Sequence, residues 1–330
     1  MAIRQNKKFR FKMLLAFISF NVVFAGILAP FILFWGPFES LKVMAVGSVK
    51  TSRHPQVVQA FLSDEKISQI MHSNDDQGIG AGQGIGREEI VADPSEGIII
   101  EDIKGKAFKG KVMLIKDPKR VKVAVTRELG VAGERVSDMV KNSGAIAGIN
   151  GGGFYDPDGK GNGAWPDGIT VRDGEIVHNN LGDKLAEWII GIDDKGKLSV
   201  EKMTASQIKQ RNIKEAVTFY PPLISDGKPV LEGDGGWGIA PRTGIGQTAD
   251  GTIIFVVIDG RQPTWSLGAT LRDMMNVFME YKAVTAVNLD GGSSSEMVYN
   301  GKIMNRLWNI FGERYIPTGF VVMPKSKSKN

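Results

Sequence analysis

The chain reads as an α+β protein: a strand-rich, mixed-sheet domain with packed helices, preceded by one N-terminal transmembrane helix. Three observations predict this. Residues 13–38, MLLAFISFNVVFAGILAPFILFWGPF, hold no charged side chain. Beyond residue 98 short apolar runs alternate with Asp-Gly and Asn-Gly pairs, the pattern of strands joined by turns. A single long stretch, Leu267 to Lys282, carries apolar residues at helical spacing.

The N-terminal run exceeds the roughly 20 residues needed to cross a bilayer core. Pro30 is tolerable in such a helix, and Trp35 suits its interfacial end. Arg4, Lys7, Lys8, Arg10 and Lys12 precede the run with no acid among them. That flank favours a cytoplasmic N-terminus with the remainder outside, a single-pass protein of the cell membrane. A cleaved leader has an apolar core of about 7–15 residues, and this run is longer, so an anchor is preferred over cleavage near Val43-Met44-Ala45.

Five segments follow: a basic tail (1–12), the anchor (13–38), a stalk and flexible linker (39–95), a catalytic domain (96–324) and a second basic tail (325–330). Ala60 to Met71 has some helical spacing. SNDDQGIGAGQGIG, residues 73–86, is linker by composition. Its glycines do not form a phosphate loop, because no helix-like run follows.

In the domain, strands are expected at Ile98–Ile103, Lys111–Lys116, Val121–Thr126, Ala145–Asn150, Gly168–Arg172, Leu185–Ile192 and Val217–Tyr220. More are expected at Arg242–Thr248, Thr252–Asp259, Thr285–Asp290 and Glu296–Tyr299. Thr243–Gly246 and Ile253–Val257 should pair as a hairpin. In the long helix Leu271, Met274, Met275 and Phe278 share a face, with Ser266 as a candidate N-cap. A second helix is expected over Arg135–Asn142.

Composition narrows the chemistry. The net charge is +5, but eight cations sit in the two tails, so the body between them is mildly acidic and offers no basic stripe for nucleic acid. There is no cysteine, which excludes a thiol nucleophile, a disulfide and Cys-ligated zinc. Three histidines, His54, His72 and His178, leave little for a His-rich metal centre. No cofactor or metal is called for.

Three segments carry candidate chemistry: AIAGINGGGFYDPDG (145–159), APRTGIGQTADGTIIFVVIDGR (240–261) and AVTAVNLDGGSSSEMVYNG (283–301). Each delivers a polar residue at the end of an apolar strand, namely Asn150, Asp259 and Asp290. Asp173, Asp226 and Asp250 are plain turn residues by comparison. Asp290 differs, because two glycines and three serines follow it and suit an oxyanion-binding concavity. Arg242 could grip a phosphate with both prongs. Asp156, Asp158, Gly161 and Asp167 fall at positions 1, 3, 6 and 12 of a calcium-loop frame, but Lys160 occupies position 5, where an oxygen belongs. The segment reads instead as a mobile loop of the site. Glu296 reads as a solvent-facing strand residue.

Together GINGGGFYDPDG, PRTGIGQTADG with VIDGR, and SLGATLRDMM with AVNLDGGSSSEMVYNG resemble the phosphodiester glycosidase family over about residues 98–323. Its members include the lysosomal uncovering enzyme and bacterial exopolysaccharide-related proteins. The resemblance implies hydrolysis of a sugar joined through its anomeric carbon to a phosphodiester, with a phosphate-linked envelope glycan as the partner. By position it implies substrate contacts from Asn150, Gly151, Gly152, Thr243, Arg261, Gly291, Gly292 and Ser293, beside the reacting groups Asp290, Asp259 and Arg242. The Pro157–Pro166 loop departs from the family pattern. Two other classes remain open: a non-catalytic binder of phosphate-containing glycans, and a phosphodiesterase cutting P–O, although the latter usually needs clustered metal ligands.

The basic flank makes a direct prediction. Protease added to intact cells should remove a C-terminal epitope while a cytoplasmic control survives. An epitope that persists under conditions that strip other surface proteins would reverse the orientation.

Overall fold

A computed structural model of the chain describes residues 2–37, 41–42, 45–46, 56–72, 85–155, 161–309 and 311–326. It divides into two compact units, residues 1–71 and 72–330. Asp156, Asp158 and Lys160 of the calcium-like frame, Val43 and Met44, and most of the glycine-rich linker lie outside the described residues.

The first unit is dominated by one helix, Ala2–Trp35, with Pro30 inside it. Its apolar part, Phe11–Trp35, is long and apolar enough to cross a membrane and exposes nearly all its side chains. At 1.5 Å per residue, 25 residues reach about 37 Å, more than the bilayer core. Short helices follow at Gln56–Gln59 and Asp64–His72. Phe61 stacks on Phe34 with ring centres 5.3 Å apart. Phe61, in the expected stalk, therefore packs against the end of the apolar helix.

The second unit is built on three sheets, and every described ladder between their strands is antiparallel. The largest runs Gly86–Asp93, Ile98–Lys104, Lys109–Ile115, Ile253–Ile258, Arg242–Thr248, Ala283–Asn288, Pro222–Ser225 and Lys228–Pro229. A second runs Leu198–Met203, Glu187–Asp193, Ile213–Thr218, Ile169–Arg172 and Glu175–Asn179. The third runs Lys302–Ile303, Met297–Tyr299, Ala147–Asn150, Thr318–Val322 and Val121–Val125.

All three turn one face into a shared core containing Ile100, Phe255, Ile190, Val217, Ile149 and Phe320. Each covers its other face with one helix: Leu271–Glu280 on the large sheet, Ala205–Gln210 on the second, Val136–Asn142 on the third. This two-sided burial explains the unbroken run IIFVVI. Ile253, Phe255 and Val257 enter the shared core, while Ile254, Val256 and Ile258 pack under the long helix. Alternation along a strand makes both faces apolar when both are covered.

Turn chemistry sets the hairpins. Asp173-Gly174, Asp226-Gly227 and Asn300-Gly301 all take positive φ at both residues, as type I′ turns require. The expected Arg242–Ile258 hairpin forms with Arg242 opposite Ile258 and Gln247 opposite Ile253.

Two boundaries differ from the sequence reading. The long helix begins at Leu271, not Leu267, and its cap is Thr270: the Thr270 hydroxyl accepts from Asp273 N–H and the Asp273 carboxylate accepts from Thr270 N–H. Gly268, at φ +116° and pressed on Ala240, interrupts any earlier start. Ser266 instead donates its hydroxyl to Asp259 O at 2.6 Å. Second, the large sheet starts before residue 96. Gly86–Asp93, placed in the linker from composition, pairs along its length with Ile98–Lys104. Its mostly exposed polar residues hide the strand from a hydrophobicity pattern. Arg87 secures it by an ion pair to Glu280 at 2.7 Å and by lying 4.3 Å over the Tyr281 ring.

This placement predicts how truncations behave. A version beginning at His72 should be monomeric and unfold cooperatively. One beginning at Ser95 uncovers the edge of the Ile98–Lys104 strand and should associate through it. Equal solubility and thermal midpoint for the two would show that the outer strand contributes nothing.

Candidate active site

The three sheets meet at one end of the shared core, and Asn150 is the joint. It closes the Ala147–Asn150 strand and is fully buried. Its Nδ2–H donates to Asp290 O at 2.6 Å. Its Oδ1 accepts from the Thr243 hydroxyl at 2.8 Å and from Glu296 N–H at 3.2 Å. Around it Gly151 N–H donates to Thr318 O at 3.0 Å, and Asp290 N–H donates to Gly151 O at 3.2 Å. The glycines of the motif allow close approach: a Cβ on Gly151 would stand 2.7 Å from the Thr318 hydroxyl, and one on Gly152 would stand 2.6 Å from Thr218 O. The Asn-Gly-Gly sequence thus fits because strands from all three sheets converge there.

Asp290 follows the Ala283–Asn288 strand and is half-buried. Its Oδ1 accepts from Gly291 N–H at 3.0 Å. Burial pushes its carboxyl above the ordinary aspartate range, opposed by a hydrogen bond with Ser294 and by the charges of Arg314 and Arg261. The backbone amides do not form the open concavity anticipated from the glycines and serines. Those of Gly151, Gly291 and Gly292 already donate to Thr318 O, to the Asp290 side chain and to Pro241 O.

Positive charge is supplied by side chains instead. Arg261 adopts φ +58°, a conformation that costs a non-glycine residue of order 1 kcal/mol and clusters at functional sites. Its guanidinium lies 5.1 Å over the Trp308 ring and faces the hypothetical Cβ of Gly292 at 3.4 Å. Arg314 donates from Nη1 to the Ser293 hydroxyl at 2.8 Å and lies 5.0 Å over Phe154. In both arginines the buried Nε–H has no partner within the protein. Burial lowers the Arg261 pKa while the charge of Asp290 raises it.

Arg242 is placed differently from the phosphate grip suggested by sequence. It is 4 % exposed, and its Nε–H and Nη2–H donate to the carbonyls of Ala269 (3.1 Å), Trp237 (3.0 Å) and Gly238. Burial and the neighbouring Arg261 lower its pKa to about 10. Its work is to hold the glycine-rich 233–238 turn and the approach to the long helix.

Asp259 is likewise engaged. Oδ2 accepts from Trp265 Nε1–H at 2.7 Å, and Oδ1 accepts from Asn305 Nδ2–H at 3.2 Å and Arg306 N–H at 3.0 Å. Burial raises its carboxyl and these bonds lower it. It anchors the segment carrying Trp308 and Arg314, which pattern reading passed over. The signal was present in RLWNIFGERY, where arginines and aromatics concentrate in a stretch without strand or helix spacing. Glu296 is buried at 2 % exposure, not solvent-facing. His178 packs on Trp165, ring centres 5.5 Å apart, and takes no part. Among the described residues no three carboxylate or imidazole groups converge as metal ligands.

Residues 143–323, more than half the chain, match the family model described as phosphodiester glycosidase. The chain belongs to the phosphodiester glycosidase family. It is 29 % identical over 183 residues to the SPbeta prophage-derived uncharacterized protein YomE of Bacillus subtilis (strain 168), covering 53 % of this chain and 27 % of that protein. The chain therefore spans about a quarter of the length of that relative. Among solved structures, the catalytic domain of zebrafish N-acetylglucosamine-1-phosphodiester alpha-N-acetylglucosaminidase, auto-inhibited by its pro-peptide, superposes with a TM-score of 0.56 at 20 % identity. That match covers 75 % of this chain and 86 % of the other. A hypothetical protein from Synechocystis gives 0.57 at 15 % identity, covering 74 % and 64 %. These likenesses show a fold shared with both structures.

Two substitutions separate the joint from the site. Asn150→Ala leaves three buried groups without a partner, each worth about 1–3 kcal/mol, and should lower unfolding free energy by about 3 kcal/mol or more in denaturant titration. Arg242→Lys cannot reach three carbonyls at once and should lower the thermal midpoint by several degrees. If instead it leaves the midpoint alone and weakens substrate binding, the guanidinium serves the ligand.

Proposed function

We propose that the domain hydrolyses the C1–O bond of a sugar-1-phosphodiester in a glycan outside the cytoplasm, releasing free sugar and a phosphomonoester. The observation that carries this is Asp290 lying within the fields of Arg261 and Arg314, each with a buried donor unmatched by protein. A phosphodiester would satisfy both guanidiniums and bring its anomeric carbon towards the carboxylate. The family membership and the activity in the zebrafish relative's name support the same class.

The leaving group is a phosphomonoester with a second pKa of about 6, so it departs without strong protonation. The demand falls on stabilising phosphate charge, a task for preorganised cations. Asp290 acts as nucleophile or general base at the anomeric carbon. Asp259, with both oxygens occupied, orients Trp265 and the Asn305–Arg306 turn. Exposed Trp308 borders Arg261 and offers ring surface for a sugar. The apolar helix holds this chemistry at the membrane surface, with the basic N-terminus inside.

Hydrolysis in oxygen-18 water should put label in the anomeric hydroxyl; label in phosphate would mean P–O cleavage. Asp290→Asn should lower kcat by about 10³-fold or more with little change in KM. Arg261→Ala and Arg314→Ala should damage both. Tight glycan binding without turnover on a panel of sugar-1-phosphodiesters would favour a binding protein.

The pH profile gives an independent check. Asp290 must be ionised to act, and burial raises its pKa, so the acid limb of kcat/KM should lie alkaline of an ordinary aspartate. Arg314 lowers that pKa. Arg314→Met should therefore move the limb further towards alkaline pH; an acid-ward shift would deny the coupling.

A further inference from the structure

Glu296 ends the serine run after Asp290. Its N–H is fixed on Asn150 Oδ1, so the same amide sets its position and that of Asp290. Its carboxyl is in hydrogen-bond contact with Glu313, and its Oε1 is buried with no partner. Glu313 accepts from Ser137 N–H at 3.1 Å and from the Ser137 hydroxyl at 2.7 Å. The next residue, Arg314, donates to Ser293. The other charged groups facing the pair are Arg135 and Asp138. Arg135 is itself engaged with Asp138 at 3.6 Å and the Tyr315 hydroxyl at 3.2 Å.

Two links thus join the same two segments: Ser293 to Arg314, and Glu296 to Glu313. Two carboxyls in hydrogen-bond contact cannot both be ionised without strong repulsion. One proton must lie between them, with Glu296 donating and Glu313 accepting. We propose that this shared proton is the clip that seats Arg314 against Ser293 and Asp290, so that Glu296 and Glu313 are positioning residues whose hold is released when the proton is lost.

Burial and the neighbouring Glu313 push the Glu296 carboxyl up to about 10. Against the burial that would raise it, hydrogen bonds from Glu296 and Ser137 hold Glu313 below the ordinary glutamate range. The folded pair keeps one proton that an unfolded chain releases above about pH 4.3. Its contribution to stability is fully present below that value, declines as pH rises and is lost through about 10.

The test uses the full chain in detergent micelles, with sulfate as probe because its charge is constant across the range. Thermal midpoint and sulfate affinity are measured from pH 5.5 to 10. In the wild type both should fall with rising pH. Glu296→Gln keeps a donor that cannot ionise, so both should fall less steeply than in the wild type and exceed it near pH 9. Glu296→Ala lacks the clip and should bind sulfate about tenfold more weakly at pH 7. Should it fail to fold, Glu313→Gln removes the neighbouring charge and should reduce the pH dependence, leaving only the part due to burial of Glu296. A Glu296→Gln profile parallel to the wild type, or unaltered sulfate binding in Glu296→Ala, overturns the proposal.

The ligand arm rests on the anion-site reading above. If sulfate binds no variant, that reading fails, and the thermal arm decides. There, the clip requires the Glu296→Ala midpoint loss to shrink in an Arg314→Met background; additive losses reject it.

Discussion

The side-chain amide of Asn150 is the constraint on which the geometry of the candidate site depends. Three sheets can share a core only if their strand ends, each with backbone groups to satisfy, find partners where they converge. One planar amide links Thr243 of the large sheet, the Asp290 carbonyl and the Glu296 N–H. Its reach is fixed by covalent geometry, so it also fixes the spacing between the loop that carries Asp290 and the strand that carries Arg242. Aspartate, though nearly isosteric, would replace the donor with a charge facing a carbonyl. The identity of this residue is thus dictated by donor and acceptor count before any ligand is considered.

The polar groups nearby fall into two physical kinds. Asn150, Arg242 and Asp259 are held by the protein: a guanidinium on three carbonyls through Nε and Nη2, a carboxylate on three donors. Groups so engaged are rigid and give little to a ligand. Arg261, Arg314, Glu296, Ser295 and Thr318 each retain a buried polar atom without a partner. Native proteins keep few such atoms, and with Asn288 Oδ1 these cluster in neighbouring segments, where the protein has left bonding capacity unused. The engaged set forms the frame, and the unpaired Nε–H donors of Arg261 and Arg314 point to where an anion would be received.

Much of this was legible in the sequence, and what was missed has definite causes. IIFVVI, the Asp-Gly turns and the Leu271–Phe278 spacing revealed strands, hairpins and a helix, because two-sided burial, positive φ and helical period each leave a local mark. The outer strand at Gly86–Asp93 left none, since an edge strand can be polar on most positions and is held by pairing alone. Asn150, Asp259 and Asp290 stood out as polar residues ending apolar runs, and they do gather at one end of the core. Their distinct roles did not show. Whether a buried arginine meets carbonyls or a ligand depends on how the chain folds back around it, as with Arg242, whose acceptors Trp237 and Gly238 come just before it while Ala269 comes from beyond the next strand. Glu296 looked exposed because its covering partner, Glu313, lies in a segment without regular spacing.

That segment, residues 305–316, shows why irregular chain completes this site. It is tied at one end to Asp259 through Asn305 and Arg306, and at the other to the Val136–Asn142 helix through Glu313 and Ser137. Between the ties it brings Trp308 to Arg261 and leaves Phe311 almost wholly exposed. A strand would turn alternate side chains away and a helix would keep them on one face. A loop pinned at both ends can direct the Trp308 ring to Arg261 and the Arg314 guanidinium to Ser293 at once. Its order then depends on charged groups at the pins, Asp259 at one and the Glu296–Glu313 pair at the other. Burial raises Asp259 and Glu296, while hydrogen bonds hold Glu313 below the ordinary glutamate range, so a proton weakens the first pin, where a carboxylate accepts three bonds, and forms the second.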